Sequence, residues 1–311
     1  MKMRTPERST LPILVANGPY DFQRSFSRIV CAVVAARHPE MGARAPLLDD
    51  GEFALPIRLH GRPLLLGLRA AGDNGVAPRV LAGDAHADHL ALLEELRRIL
   101  CLDHDLEAFY KAVRGDHPLA QLTRRYRGLR LTLTPTIFQG LVHAILFQQI
   151  SYTAAQTVEN RLVARWGEEI VFGDRPFSVF PTPRTLASQT VDALRSVGIP
   201  PRKAQAILDV SRQCVSGELD LDGLARKADA ERVACRLQAI RGIGPWTAHH
   251  VIIRAMGMVD CLPTEDPGLR QAVAEQYGRT PPTPAQLVML AERWRPWRSY
   301  ATYYLWNTFW E

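Results

Sequence analysis

Two glycines and a proline separate two segments of helical periodicity within residues 237–250. The first segment ends at Gly242 and the second begins at Pro245. Glycine just past one helix and proline at the first position of the next are typical of a tight helix-turn-helix. Such a turn leaves backbone N–H groups at a helix N-terminus with no side chain in front of them, which suits an anion such as a phosphate. Taken alone, the spacing favours a simpler interpretation, a compact pair of helices without a ligand.

A carboxylate follows the second segment at a distance of twenty residues from Trp246. Asp266 lies within D-C-L-P-T-E-D-P-G-L, residues 260–269, and precedes Pro267. This order fits a helix N-cap followed by proline at the first helical position. The two stretches together resemble the patterns LxGIGxWTA and D-x-[FL]-P-x-x-D-x-x-L of the helix-hairpin-helix (HhH-GPD) superfamily of DNA glycosylases. Within it, the chain resembles the 3-methyladenine DNA glycosylase II (AlkA-like) family.

Further stretches carry the same resemblance. Residues 102–110 are similar to the family segment LDxDLExFY, and residues 291–301 to AERWxPWRSYA. The resemblance runs from about Leu100 to Trp310 and extends more loosely to the N-terminus. It implies a mostly α fold, a glycosylase fold in two helical lobes preceded by a small α+β antiparallel-sheet domain. The expected division is 1–88 for that N-terminal domain and 89–311 for the helical region, with one lobe at 120–258 and the other at 89–119 plus 259–311.

The first 85 or so residues differ from the rest in their pattern. A helix-like stretch at 26–36 precedes short extended runs at 55–60, 64–68 and 78–81, separated by Gly-containing turns. These runs predict a small antiparallel sheet. No residue in this part suggests chemistry, so we expect the domain to buttress the helical region. After residue 86 strand signals nearly vanish and helices are predicted to follow one another.

Composition narrows the class of partner and compartment. The 311 residues carry a formal net charge of +6, which suits a polyanion without requiring one. The five cysteines are scattered and never two or three residues apart, so neither a disulfide framework nor a metal cluster is predicted. The only early apolar run is short, so no signal peptide or membrane span is expected. We expect a monomer in the cytoplasm, associated with the nucleoid, whose partner is double-stranded DNA containing damaged bases, with no membrane partner.

The resemblance makes Asp266 the candidate catalytic residue. Breaking a nucleobase–sugar bond builds oxocarbenium character at C1′. A fixed anion beside that carbon stabilises the charge and can orient or deprotonate the attacking water. A purely structural helix cap is the alternative, and one carboxylate can serve both purposes. Asp260, the first acidic residue of the motif, is expected to be structural.

The resemblance also implies a pocket for an extruded base. Trp246 and Trp306 fall where aromatic walls are expected, and His250, Tyr303 and Asn307 complete the candidate pocket. The alternative for each tryptophan is packing in an interhelical core. Well-studied relatives have tyrosine where this chain has His250 and Asn307. Bifunctional relatives have a lysine in place of Trp246, so its absence implies direct hydrolysis by water and no AP lyase activity.

Contacts to DNA are expected at two loops. Gly242, Gly244 and Thr247 form the hairpin turn that would receive a phosphate. Gln149, in the stretch Q-Q-I-S, matches the loop that fills the gap left by the extruded nucleotide in this family. Glutamines that only hydrogen-bond an interhelical turn are the alternative. Arg202 and Lys203, at the start of a later helix, are equally consistent with a phosphate contact and with solvated surface charge.

No cofactor is implied by the resemblance. The family's hairpin holds a structural monovalent cation, Na+ or K+, through backbone carbonyls, which correspond here to those of Gln238, Ile240 and Ile243. His104 lies between two acidic residues, a pattern that fits a metal ligand but more often marks a solvated helix start.

The sequence therefore predicts a monofunctional DNA glycosylase of base excision repair. It would flip out alkylated purines of the 3-methyladenine and 7-methylguanine type and hydrolyse their N-glycosidic bond, leaving an abasic site. Two alternatives stay open at this point. One is a glycosylase for deaminated or oxidised bases, and the other is a non-catalytic protein that binds DNA structure through the hairpin.

Overall fold

The computed structural model describes residues 11–26, 48, 51–84 and 88–310. It confirms a mostly α fold with a small antiparallel sheet near the N-terminus. The first helix, α1, spans Phe22–Phe26. The remainder of the helix predicted at 26–36 lies outside the described residues.

Four antiparallel strands form the N-terminal sheet, in the order β1-β4-β3-β2. They are β1 (Leu14–Val15), β2 (Phe53–Leu59), β3 (Arg62–Ala71) and β4 (Gly75–Gly83). The last three confirm the predicted strands, whereas β1 is too short to show an alternating pattern. His60 and Gly61 connect β2 to β3 with φ of 47° and 79°. Two positive φ values in a two-residue turn match the twist of the strands that the turn joins.

The two faces of this sheet are both covered. On one face, Leu66 and Leu68 of β3 belong to the same buried cluster as Phe26 of α1 and Leu92 of α2 (His89–Ile99). The predicted boundary after residue 88 assigns α2 to the helical region, yet α2 shares its core with the sheet. The boundary itself stays a prediction.

A two-stranded hairpin from the helical region covers the opposite face. It consists of β5 (Glu168–Phe172) and β6 (Arg175–Val179). Ile170 and Phe177 of this hairpin pack in one buried cluster with Ala54 and Leu65 of the sheet. The expectation that strands nearly vanish after residue 86 is wrong here, because the two runs are short and their apolar residues face a partner distant in sequence.

Helices build the rest of the described chain. They are α3 (Leu106–Ala112), α4 (His117–Arg125), α5 (Ile137–Leu146), α6 (Tyr152–Trp166), α7 (Pro183–Ala187), α8 (Val191–Ser196), α9 (Pro201–Ser216), α10 (Leu221–Lys227), α11 (Ala230–Gln238), α12 (Pro245–Arg254), α13 (Pro267–Tyr277), α14 (Pro284–Ala291) and α15 (Arg298–Asn307). Short 3-10 turns follow α14 and α15. One continuous hydrophobic cluster joins α3 to α15, so both predicted lobes contribute to the same core. None of the helices among the described residues combines the length and the hydrophobicity that a membrane span requires.

A buried arginine ties the N-terminal segment to the helical region. The Arg130 side chain donates to the carbonyls of Cys101 at 2.9 Å, His104 at 2.7 Å and Pro19 at 3.3 Å, and also to that of Asn17. Arg130 has no exposed surface. Burial of a guanidinium is costly unless its N–H groups are bonded, so these carbonyls fix the relative position of the two parts.

Candidate active site and DNA-facing surface

Asp266 caps the N-terminus of α13. Its Oδ1 accepts the Leu269 backbone N–H at 2.5 Å, and Pro267 occupies the first helical position. The predicted N-cap is thus confirmed. The carboxylate is only 7% exposed, so it needs further donors to compensate for the water it has lost.

Two tryptophans supply those donors. Trp246 of α12 donates its indole N–H to Asp266 Oδ2 at 2.6 Å, and Trp306 of α15 donates to Oδ1 at 2.9 Å. Hydrogen bonds to an ionised acceptor are shorter and stronger than neutral ones. From the sequence, both tryptophans were expected beside the base, and this contact with Asp266 was not predicted. A buried indole N–H needs an acceptor, which is the signal that could have pointed to Asp266.

The rings of this group form a layered surface next to the carboxylate. The Trp246 and His250 rings are stacked at 5.2 Å between centroids with planes 24° apart. The Trp306 ring lies 6.2 Å from that of His250. Burial, with smaller contributions from His143 and Arg254, lowers the pKa of His250 well below its ordinary value. The imidazole is therefore neutral at neutral pH, and this surface carries no positive charge from His250.

Tyr303 and Asn307 lie on α15 and are almost fully buried. The Arg254 guanidinium carbon is 4.9 Å from the centroid of the Tyr303 ring. Within the described parts of the chain, neither the Tyr303 hydroxyl nor the two polar atoms of the Asn307 amide have a hydrogen-bond partner. The structure thus places both residues on the helix that supplies Trp306, with polar atoms available to a ligand or a water.

A buried histidine–glutamate pair continues the layer of rings beyond His250. His143 of α5 lies 5.9 Å from His250 and 3.8 Å from Phe147, between ring centroids. Its Nδ1 is 2.9 Å from Glu159 Oε2 of α6. This pair was not predicted from the sequence, because the two residues lie on different helices and belong to no recognisable motif.

The hairpin turn has the predicted geometry. Gly242 has φ of 90°, a left-handed value that favours glycine, and Gly244 is the N-cap of α12. Across the described part of the chain, no side chain caps this helix, so the first-turn N–H groups of Trp246 and Thr247 stay available. Thr247 itself is buried, and its hydroxyl accepts a hydrogen bond from Gln148 Nε2 at 2.8 Å. A contact from Thr247 to DNA would therefore use its backbone.

The loop between α5 and α6 lies beside this turn. Gln149 is exposed and has φ of 54°, which is uncommon for a residue other than glycine. Ser151 caps α6 by accepting the Ala154 N–H at 3.3 Å, as predicted. Lys203 donates its ammonium group to the carbonyls of Leu146 and Gln148, each at 2.7 Å. It therefore caps the end of α5 with two of its three ammonium hydrogens.

The three carbonyls expected to hold a monovalent cation lie at the end of α11 and in the turn that follows it. Gln238 is the last residue of α11, and the Ile240 carbonyl accepts the Ile243 N–H at 3.0 Å. Terminal carbonyls of a helix lack intrahelical partners, and oxygen ligands suit a hard cation. The carbonyls of Gln238, Ile240 and Ile243 stay the predicted ligands of such an ion, and one lone pair of the Ile240 carbonyl is already used.

Two other predicted residues have structural partners. His104 Nδ1 is 2.9 Å from the Tyr300 hydroxyl, and burial lowers the pKa of His104 to about 4. The histidine is thus partly buried against α15 instead of marking a solvated helix start. Asp260 pairs with Arg298 at 2.6 Å and with Arg295 at 2.9 Å, contacts that hold the start of α15.

Comparisons with known proteins identify the family of this chain. Residues 142–298 match the family model described as HhH-GPD superfamily base excision DNA repair protein. A DNA-3-methyladenine glycosylase of Bacillus subtilis (strain 168) is 32% identical over 210 residues, covering 66% of this chain and 68% of the relative.

Two solved structures share the fold. The 3-methyladenine DNA glycosylase from Archaeoglobus fulgidus has a TM-score of 0.80 at 22% identity, covering 96% of this chain and 97% of its own. The 8-oxoguanine glycosylase/lyase of Clostridium acetobutylicum, in complex with double-stranded DNA, has a TM-score of 0.75 at 15% identity, covering 98% of each chain. The family match, the aligned relative and the hairpin with its carboxylate agree: this chain belongs to the HhH-GPD superfamily of base excision DNA repair proteins.

Proposed function

We propose that the protein is a monofunctional DNA glycosylase that removes alkylated purines from double-stranded DNA. It flips the damaged nucleotide out of the helix and hydrolyses its N-glycosidic bond, which leaves an abasic site. The observation that carries this proposal is the carboxylate of Asp266, held by Trp246 and Trp306 beside a layer of aromatic rings.

The two oxygens of Asp266 have different hydrogen-bond partners, and we assign them different roles. Oδ1 accepts the N–H groups of Leu269 and Trp306, which uses both of its lone pairs. Oδ2 accepts only the Trp246 N–H among the described residues and keeps a lone pair. We therefore assign Oδ2 as the oxygen that faces C1′ of the flipped nucleotide and the attacking water.

The positive charge that develops at C1′ explains the role of Asp266 in the proposed reaction. When the bond between C1′ and the base nitrogen breaks, its electron pair leaves with the base and C1′ acquires positive character. The fixed negative charge of Asp266 stabilises that state in a partly dry site. A water oxygen bonds to C1′, and its proton passes to Asp266 Oδ2 and on to solvent. The products are the free base and an abasic sugar.

The aromatic layer favours a positively charged base. Alkylation at a ring nitrogen makes a purine cationic, which improves it as a leaving group and attracts it to an indole face. The rings of Trp246 and Trp306 offer such faces, and the neutral His250 imidazole near both rings does not repel the cation. These features support alkylated purines as the substrate class.

The proposal of hydrolysis without strand cleavage rests on the residue at position 246. A lyase reaction needs an amine that attacks C1′ and forms an imine. Trp246 offers no amine, and its indole nitrogen already donates to the candidate catalytic carboxylate. Water is therefore the nucleophile in the proposed reaction.

DNA would be held by the two neighbouring loops. The uncapped N–H groups at the start of α12, next to Gly242 and Gly244, suit a phosphate. Exposed Gln149 would fill the gap left by the flipped nucleotide. A Na+ or K+ ion on the carbonyls of Gln238, Ile240 and Ile243 would add positive charge where the backbone of DNA approaches.

A panel of duplexes tests the proposal, each with one 7-methylguanine, hypoxanthine, 8-oxoguanine or a stabilised 3-methyladenine. Abasic sites are revealed by alkali after incubation with the protein. We expect release of the alkylated bases, with strand breaks only after alkali. Breaks without alkali would contradict the monofunctional assignment, and no release from any duplex would contradict glycosylase activity.

A further inference from the structure

Gln148 connects the two DNA-facing loops. Its Nε2 donates one hydrogen to the Gly242 carbonyl at 2.9 Å and the other to the Thr247 hydroxyl at 2.8 Å. Both hydrogens of the amide are therefore used on the hairpin turn, 94 and 99 residues away in sequence. The neighbouring residue is Gln149, the proposed inserting side chain.

The backbone of Gln148 and of the helix end that precedes it is also fixed. The Lys203 ammonium group bonds the carbonyls of Leu146 and Gln148 at the end of α5. A cation at a helix C-terminus satisfies carbonyls that lack intrahelical partners. After Gln149, Ser151 begins α6 as its N-cap. Contacts on both sides thus hold Gln149 in its left-handed conformation.

A residue other than glycine adopts such a conformation only when its surroundings determine it. The exposed Gln149 side chain has no hydrogen bond among the described residues that would account for its conformation. The cause therefore lies in the flanking contacts, and the side chain of Gln148 makes the ones that reach the hairpin.

We propose that Gln148 is a positioning residue, which fixes Gln149 relative to the hairpin turn before DNA binds. This inference rests on the proposed function, because it concerns the insertion of Gln149 into a gap in DNA. Phosphate binding by the hairpin then places the inserting side chain at a set distance from the duplex. Pre-organisation of this kind removes the cost of ordering the loop during base flipping.

Gln148→Met tests the role, because methionine keeps the length of the side chain and removes both N–H donors. Binding is measured for an undamaged duplex and for a duplex with a tetrahydrofuran abasic-site analogue. We expect affinity for the undamaged duplex to change less than about twofold, since the hairpin amides are untouched. The preference for the abasic duplex should fall about tenfold, as two hydrogen bonds are lost.

Thr247→Val supplies a second variant that removes only one of the two acceptors. Its preference for the abasic duplex should fall less, by about threefold. If Gln148→Met prevents folding, this variant still tests the proposal. An unchanged preference in Thr247→Val, or equal losses for both duplexes in either variant, would overturn it.

A double-mutant cycle with Gln149→Gly separates positioning from general support of the fold. Glycine tolerates the left-handed conformation and removes the inserting side chain. If Gln148 acts through Gln149, adding Gln148→Met to Gln149→Gly should cost no further abasic preference. Additive losses would show a merely structural role. The cycle uses binding alone, so it remains informative even if no base is released and the proposed function fails.

Discussion

Asp266 is 7% exposed and is bound by indole N–H groups from two helices, whereas Gly244, at the start of α12, presents backbone without a side chain. The proposed chemistry of the first region depends on the identity of its side chains, which are nearly shielded from water. The second depends on the path of the main chain at an exposed turn. Substitutions in the two regions should therefore affect different steps: base release in the first and duplex binding in the second.

The largest expected effect comes from Asp266→Asn. The amide retains an oxygen that can cap α13 but loses the negative charge that stabilises C1′. We expect single-turnover base release to fall by about a thousandfold. Duplex binding should stay equal or become tighter, because a charge that repels phosphate is gone. If the variant still released bases at the original rate, another carboxylate would have to be the catalytic one.

The next effect comes from Trp306→Phe, which keeps an aromatic face and removes the N–H that binds Asp266 Oδ1. Loss of a hydrogen bond to a charged group should slow base release about ten- to a hundredfold, equally for cationic and neutral bases. Trp306→Leu removes the face as well. It should cost about two- to thirtyfold more, and only for cationic bases such as 7-methylguanine.

Single-turnover release of 7-methylguanine and hypoxanthine by both variants checks this prediction. An equal additional loss for the two bases in the leucine variant would mean that the ring only packs. Trp246→Phe offers a matched comparison with Trp306→Phe. It removes the N–H that binds Oδ2, which is the oxygen proposed to face C1′.

Gly244→Asp should have a smaller effect, confined to binding. Gly244 has φ of −91°, and a Cβ added there meets nothing within 4 Å, so the fold tolerates a side chain. The carboxylate would cap the N–H groups intended for phosphate and repel the anion. Affinity for every duplex should fall about tenfold at low salt, with or without a lesion.

Gly244→Ser is the control, since serine caps the helix equally well but carries no charge. It should weaken binding less than aspartate, and the gap between the two should shrink as salt is added. A loss restricted to lesion-containing duplexes would contradict the assignment of this turn to phosphate.

The smallest expected effect is the contribution of His250, in the buried region, to the pH dependence of the free energy of unfolding. The pKa of His250 is lowered in the folded protein, so the unfolded chain binds more protons as pH falls below about 6.5. The free energy of unfolding should therefore decrease between pH 7.5 and pH 5.5, by on the order of 1 kcal/mol from this residue. Urea unfolding at both values checks the sign. His250→Phe should reduce the difference, and an unchanged difference would contradict the burial of a neutral imidazole.

Local patterns allowed the sequence to predict one part of the site well. The turn at Gly242, the start of α12 at Pro245 and the cap at Asp266 each depend on a few adjacent residues. Helix ends are set by glycine, proline and short polar side chains, whose conformational preferences are readable without tertiary information. The strands β2 to β4 were predictable for a similar reason, because alternation and Gly-containing turns mark them.

Contacts across the fold were not predictable in this way. The bonds from Trp246 and Trp306 to Asp266 span 20 and 40 residues, and that from Gln148 to Gly242 spans 94. No local preference encodes such a distance. The hairpin β5–β6 was missed for a related reason, since its strand character depends on burial against another sheet and context of this kind outweighs intrinsic propensity.

That hairpin bears on how such a chain could change in length over evolution. Ile170, Phe177 and Val179 are buried because Ala54 and Leu65 of the N-terminal sheet cover them. A variant of the chain that lacked the N-terminal sheet would expose these side chains to water. The resulting hydrophobic patch would promote aggregation. Loss of the N-terminal strands would thus require polar replacements in the β5–β6 hairpin, more than 80 residues downstream of β4. The helical part of the chain thus depends on the N-terminal sheet to cover some of its own apolar residues.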